Sequence, residues 1–512
     1  MSTTVDLERP VRTEPTTRAR GRTTGGPPLS KRSWGAGLML ATFLFVASMA
    51  MWFSFSRVVP ADFSETAVPA YAVSQGSLRC AYPAANKSPV PPLYPVVAGS
   101  VMALTGIAGM TYPTATPLAR HCSSVNLSVF AWHGPLLFMG LVGLLGWPIL
   151  LTGLLLLIRA SCPVRTRRDI LGLCLIGCAP PVAGALVQIF HPEDLFAMGL
   201  ILASLAAVVR QRWTAAGVLI GLACCAKQYA LLAAVPLVVV APGRERWRFV
   251  RGALAVGAVI VVPLGIMMGR GLVAALAGTN ATPPGQGGLI GMVSIGAARI
   301  ALSRGSPLLL AAVAAFWVRR RLGASVFEPP LLTALIATSL ALRLVFEVSL
   351  YDYYFLALAV ALVAVDMVSG RIRLPTVVWV LAAGAFFPSG FGPLLRMDGR
   401  FPVVIQMVVV LPGLLLAARP LWRACRAVRP VAPAIAPSTV SPVGAHARRP
   451  PAATRRASPA SASPFRMSGG RRHQLVDHRH LVGLLLGTGF EGNGGGRLGR
   501  RVGQALGGEG LR

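Results

Sequence analysis

The sequence predicts an all-α polytopic membrane protein, and three observations carry that prediction. Hydrophobic residues make up 54% of the 512-residue chain and charged residues 13%, with mean hydropathy +0.64. Apolar runs of roughly 14 to 25 residues recur along most of its length, the scale of a bilayer crossing. Arginine clusters punctuate alternate ends of those runs, as the positive-inside rule requires. The formal charge of +32 would suggest nucleic acid in a soluble chain. Here it falls in loops and tails on one side of the bilayer, where topology and anionic headgroups account for it, so no nucleic acid partner is expected.

Taken in order, residues 1–33 form a polar, basic leader with Arg18, Arg20, Arg22, Lys31 and Arg32, read as a disordered cytoplasmic N-terminus. The apolar stretch from Trp34 to Phe55 is too long for the core of a signal peptide and is read as a first span with its N-terminus inside. Residues 57–130 are rich in Pro, Asn and Ser and make a long first extracytoplasmic loop. Within it Tyr94 to Met110 suits an interfacial or re-entrant helix.

The following spans are placed by their apolar runs and basic exits. Trp132 to Ile158 exits at Arg159 and Arg165 to Arg168, and Ile170 to Ile189 returns to His191. Leu195 to Val209 descends to Arg210 and Arg212. Trp213 to Cys225 and Tyr229 to Val240 form a short pair meeting at Lys227. Ala253 to Met268, Pro307 to Val318, Pro329 to Val345, Tyr354 to Val368, Pro375 to Phe387 and Val403 to Ala417 complete the series. The total is about twelve spans, with both termini cytoplasmic in a cell (plasma) membrane. Leu289 to Leu302 is a further interfacial candidate. Residues 418–512 turn to Pro/Ala/Ser and then Gly/Arg/His, a low-complexity cytoplasmic tail.

Acids are scarce, 17 Asp+Glu in all. In this topology Asp62, Glu65, Glu193, Asp194, Glu347, Asp352 and Asp398 all fall at or near the outer face, with His191, Lys227, Arg343, Tyr351, Tyr353 and Tyr354 beside them. Ionisable groups at a membrane boundary mark a functional cavity when a bundle converges them, and are ordinary loop residues when it does not. Asp62, just past the first span, has the chemistry of a general base toward a hydroxyl. His191-Pro-Glu-Asp194 sits at an outer turn, where Asp194 equally suits a helix start and His191 and Glu193 suit ligand binding. Lys227 is placed either to meet a phosphate or to snorkel toward headgroups. Arg343, four residues before Glu347, makes either a helix-surface ion pair or a cavity group.

Cys80 and Cys122 share the outer loop, where a disulfide is chemically permitted. Cys174 with Cys178, and Cys224 with Cys225, read as packing residues rather than ligands, and no metal or other cofactor is expected. Gly487-Thr-Gly-Phe-Glu-Gly492 matches a dinucleotide pattern, but too few residues follow for a βαβ unit. His478 and His480 lack a scaffold, and the sequons at Asn86, Asn126 and Asn280 are read as incidental.

The order of parts, with Ala61-Asp-Phe63, Pro91-Pro-Leu-Tyr-Pro95 and Gly221-Leu-Ala-Cys-Cys-Ala-Lys227, resembles the GT-C glycosyltransferases. More narrowly it resembles the polyprenol-phosphate-mannose-dependent mannosyltransferases of actinobacteria (family 87), over Trp34 to Ala417. That resemblance implies a GT-C-like bundle in residues 34–417 and a polyprenyl-phosphate-linked sugar donor, with mannose expected. It implies an extracytoplasmic glycolipid or glycan acceptor, inversion at the anomeric centre and Asp62 as catalytic base. The lone Asp62 departs from the paired-acid motif of some GT-C branches, and Glu65 is the substitute at hand. The donor-phosphate contact then carries over to Lys227, with Arg343 and His191 as further phosphate candidates on physical grounds alone. Glu65, His191, Glu193, Asp194, Glu347, Tyr351 and Tyr354 are the substrate-binding set. The rival reading is a membrane transporter or lipid flippase of the cell envelope, which would show inverted repeats and polar residues through both leaflets. No clear repeat is present. A membrane scaffold for envelope assembly is the third reading.

Overall fold

The computed structural model describes residues 30–55, 63–81, 91–106, 133–161, 166–269, 296–347, 353–385 and 406–428, with the single positions 290 and 404. Among these, all regular secondary structure is helical. That follows from the solvent the sequence anticipates: in hydrocarbon, backbone N–H and C=O groups must be satisfied inside the segment itself.

Helix α1 (Lys31–Phe55) begins one residue after Ser30, whose hydroxyl takes the Ser33 N–H at 3.1 Å. Among its described residues, the expected outer loop contains the helices α2 (Phe63–Ser74) and α3 (Leu93–Thr105). They pack so closely that a Cβ on Gly99 would lie 2.4 Å from the Ala70 carbonyl oxygen. Both helices contribute to the main core through Ala67, Ala70, Tyr94 and Ala98, so the segment is part of the bundle and not a detached loop.

Helix α4 (His133–Ser161) is followed by α5 (Arg167–Gly177) and, after a 44° bend, by α6 (Pro180–Ala183), which runs on into a π-helical turn, Gly184–Ile189. Helix α7 (Pro192–Val209) and α13 (Tyr354–Val368) form the centre, with almost every described residue buried. Helices α4 and α7 cross at Gly153 and Gly199, where a Cβ on Gly153 would meet the Gly199 carbonyl oxygen at 2.0 Å. Small residues of this kind let membrane helices pack backbone to backbone.

The remaining elements are α8 (Trp213–Ala226), α9 (Leu231–Val240), α10 (Gly243–Met268, with a π turn at Gly257–Val261), α11 (Gly296–Leu322), α12 (Pro329–Phe346), α14 (Leu374–Ala385) and α15 (Leu411–Ala427). Helices α1, α10, α11 and α15 leave Phe43, Leu254, Ile266, Phe316 and Leu415 exposed, as a lipid-facing rim does.

Among the described residues seven helices are long and apolar enough to cross a bilayer, eight if the bent α5–α6 pair is one span. The chain is therefore read as a polytopic membrane protein on direct grounds, with fewer full-length spans described than the twelve expected. The difference lies in helices such as α8, whose 14 residues reach about 21 Å against a hydrocarbon core of about 30 Å. Three boundaries also shift. Helix α10 starts at Gly243, so Arg244, Arg246, Arg248 and Arg251 line its first turns instead of a loop. Helix α11 passes through Pro307 instead of starting there. Helix α15 continues through Arg419 and Arg423 to Ala427, beyond the expected start of the tail at 418, because Ala, Leu and Arg are strong helix formers.

Chain direction sorts the ends of the bundle. Arginines gather where α4, α7, α11, α13 and α15 finish, and where α5 and α8 begin. That end is tied together by Arg168, which donates to the Gly370 carbonyl at 2.7 Å, and by Asp366, which accepts the Arg373 main-chain N–H at 2.7 Å. Of the polar residues singled out above, His191, Glu193 and Asp194 sit at the start of α7, Tyr353 and Tyr354 at the start of α13, Lys227 at the finish of α8, and Arg343 and Glu347 at the finish of α12, away from that arginine-rich end.

Candidate functional site

The site is built on a strained backbone. The π-helical turn before α7 pushes the chain into Phe190, a buried non-glycine residue at φ 67°, ψ 67°. A bulky side chain in the left-handed region costs free energy, and such strain is concentrated at functional sites. The turn is fixed by the His191 N–H, which donates to the Ala185 carbonyl at 2.6 Å. Pro192 then occupies the first helical position, where its missing N–H costs nothing, and Glu193 and Asp194 follow in the first turn. Their carboxylates face the positive end of the helix dipole. Asp194 is not a hydrogen-bonded cap; His191 holds the cap position, and its side chain makes no capping bond.

Helix α8 runs antiparallel to α7 and delivers Lys227 at its C-cap. Lys227 Nζ lies 2.8 Å from Glu193 Oε1 and 3.6 Å from Asp194 Oδ1. His191 Nδ1 lies 2.5 Å from the same Glu193 oxygen and 3.1 Å from Lys227 Nζ. These contacts exclude one another in one respect. A protonated Nδ1 donates to Glu193 and cannot accept from Lys227, whereas a bare Nδ1 accepts from Lys227, so the tautomer decides which contact is a hydrogen bond. Tyr229, two residues after Lys227, donates from its hydroxyl to the Asp194 carbonyl at 2.9 Å.

Helix α12 contributes Arg343 and, just past its end, Glu347, joined Nε to Oε2 at 3.1 Å. The Arg343 guanidinium stacks 4.3 Å from the Tyr354 ring and 5.3 Å from the Tyr229 ring. Tyr353 closes the circuit: its ring is 4.0 Å from His191 and 4.3 Å from Tyr354, with Lys227 Nζ 5.4 Å away. From α3, the fully buried Tyr94 of the Pro91-Pro-Leu-Tyr-Pro95 stretch packs edge-on to Phe196, one turn into α7. The described cluster therefore holds three carboxylates, one ammonium, one guanidinium and one imidazole. Glu193 is sealed, whereas the side chains of Lys227, Arg343 and Glu347 are 13%, 19% and 22% exposed and form its open side.

No family model matches the chain, and neither a curated protein nor a solved structure does.

Of the residues expected from sequence, His191, Glu193, Asp194, Lys227, Arg343, Glu347 and Tyr354 meet in one contact network. Glu65 stands in the first turn of α2. Asp62, Tyr351, Asp352, Asp398 and Cys122 lie outside the described residues. Cys80 is disulfide-bonded. Cys174, Cys178, Cys224 and Cys225 are free thiols. Sequence reasoning passed over Tyr229 and Tyr94 as site residues. Their signals were a tyrosine two positions past the lysine and an aromatic inside a proline-flanked motif.

Proposed function

We propose that the chain is a membrane glycosyltransferase that moves a sugar, mannose on the family resemblance, from a polyprenyl phosphate to an extracytoplasmic glycolipid or glycan. The observation that supports it is the convergence, at the end of the bundle remote from the arginine clusters, of two partly exposed cations lined by aromatic rings with two buried carboxylates. Arg343 and Lys227 offer N–H donors of the kind that offset charge growing on a departing lipid phosphate. The tyrosine faces offer a surface for a sugar ring. Asp62, which the resemblance makes the base, deprotonates the acceptor hydroxyl in a single displacement with inversion. Positive-inside orientation puts the arginine end in the cytoplasm and the cluster on the outer side of the plasma membrane.

One observation favours a second reading. Glu193 is a fully buried acid beside a histidine, a pairing that also serves proton-coupled transport. Comparing envelope glycolipids of cells with and without the gene separates the two. Loss of one glycosylated lipid with its unglycosylated precursor accumulating fits transfer. An unchanged glycolipid profile with altered proton-driven uptake fits transport.

A further inference from the structure

Two buried acceptor atoms at the centre of the cluster, Glu193 Oε2 and Asp194 Oδ1, receive no hydrogen bond among the described residues, although Asp194 Oδ1 keeps a 3.6 Å ion pair with Lys227 Nζ. Their side chains are 0% and 3% exposed. A buried acceptor left unmatched costs on the order of 1–3 kcal/mol, more when it is charged. The donors close by are directed elsewhere, although the Lys227 ammonium keeps N–H groups beyond the one given to Glu193. His191 Nδ1 and Lys227 Nζ converge on the other Glu193 oxygen, and the Tyr229 hydroxyl is turned to the Asp194 main-chain carbonyl.

Charge then decides what can donate. An anion entering here would meet two carboxylates. A metal cation would meet the Lys227 ammonium, which lies 2.8 Å and 3.6 Å from those same carboxylates. Among the described residues no three His, Cys, Asp or Glu side chains group as metal ligands. A neutral donor fits both constraints. A hydroxyl gives its proton to a carboxylate and can accept from Lys227 in return. Two carboxylates in one helical turn call for two hydroxyls, and the Tyr353 ring beside His191 supplies a flat wall of the kind a sugar face packs on.

We infer that Glu193 Oε2 and Asp194 Oδ1 bind hydroxyl groups of a saccharide, with the lipid phosphate kept to the open side formed by Arg343 and Lys227. The inference rests on the glycosyl-transfer reading for its choice of probe. It goes further in assigning the sugar, and not the phosphate, to the first turn of α7. The saccharide is either the donor's or the acceptor's.

The test measures binding of three probes to the purified full chain in lipid nanodiscs: polyprenyl phosphate, polyprenyl-phosphate mannose and soluble mannobiose. Glu193→Gln and Asp194→Asn are compared with the natural protein. Glu193→Gln keeps an acceptor for Lys227 and His191 while turning the orphan position into an amide donor, and retained polyprenyl phosphate binding certifies the fold of each variant. The natural protein is expected to prefer the mannosylated lipid by about tenfold or more, the scale of one or two good hydrogen bonds. Both variants should lose that preference while holding the plain phosphate within about threefold. Should the preference persist in both variants, the sugar lies elsewhere and the inference is overturned. If the two lipids bind alike and mannobiose binding depends on Glu193, the saccharide is the acceptor's. If no polyprenyl probe binds but mannobiose does, and only with Glu193 present, the transfer reading fails and this inference stands. If no saccharide binds, the two oxygens are merely hydrated and the inference fails.

Discussion

Replacing Lys227 by methionine keeps an unbranched side chain one atom shorter and removes the cation that ion-pairs with both Glu193 and Asp194. At 2.8 Å and 3.6 Å, and an effective dielectric of about 20, the two attractions are roughly 6 and 5 kcal/mol before desolvation. Burying the ammonium opposes most of that, and its 13% exposure screens some of the rest. Breaking a buried pair by removing one partner typically costs about 3–5 kcal/mol, and the screening puts Lys227→Met near the lower figure, about 3 kcal/mol. The assay is equilibrium unfolding by SDS in lipid bicelles, run as a cycle with Glu193→Gln and the double variant. Much of the cost is an uncompensated Glu193, so the double variant should recover about half of the loss. A Lys227→Met protein within about 0.5 kcal/mol of the natural one, or strictly additive effects, would refute the reasoning, because contacts at these distances must couple.

Arg343→Lys keeps the charge but loses the planar stack between Tyr229 and Tyr354. A loss of about 1–2 kcal/mol of cation–π and bidentate binding should weaken polyprenyl phosphate binding about tenfold in nanodisc titrations. Gly199→Ala places a methyl 2.5 Å from the Ile149 carbonyl oxygen; forced separation of α4 and α7 should lower bicelle stability by about 1–3 kcal/mol. At the arginine end, Asp366→Asn removes the ion pair to Arg373 but keeps an acceptor for its N–H. It should cost about 1–2 kcal/mol and leave the rate of sugar transfer unchanged in a reconstituted assay.

Much of the helical framework was legible because run length and arginine placement are local properties. Tyr354 to Val368 was expected and is found with those bounds, and Pro329 to Val345 ends one residue later than expected. Where local rules compete, the reading slipped. Pro307 looked like a helix start but is carried inside α11, and the arginines after Ala417 looked like an exit but continue α15. The cluster was legible as a list, because one topology set its members at a common face. Its wiring was not. That Lys227 meets Glu193 and Asp194, and so has its charge largely offset, depends on α7 and α8 packing antiparallel across 34 residues of sequence. The left-handed Phe190 and the π turn before it arise from tertiary packing and leave no mark in the hydrophobic pattern. Likewise, Tyr94 to Met110 reads as an interfacial or re-entrant helix, but its close approach to α2 at Gly99 depends on tertiary packing that the sequence does not display.

The most direct measurement reconstitutes the purified chain in liposomes with radiolabelled polyprenyl-phosphate mannose and an extracted envelope glycolipid fraction as acceptor. The expected result is transfer of label to a lipid acceptor by the natural protein. Asp62→Asn should lower it by about a hundredfold or more, the scale of a lost general base, while bicelle stability holds. Undiminished transfer by Asp62→Asn, or no transfer by a folded natural protein that binds the donor, would contradict it.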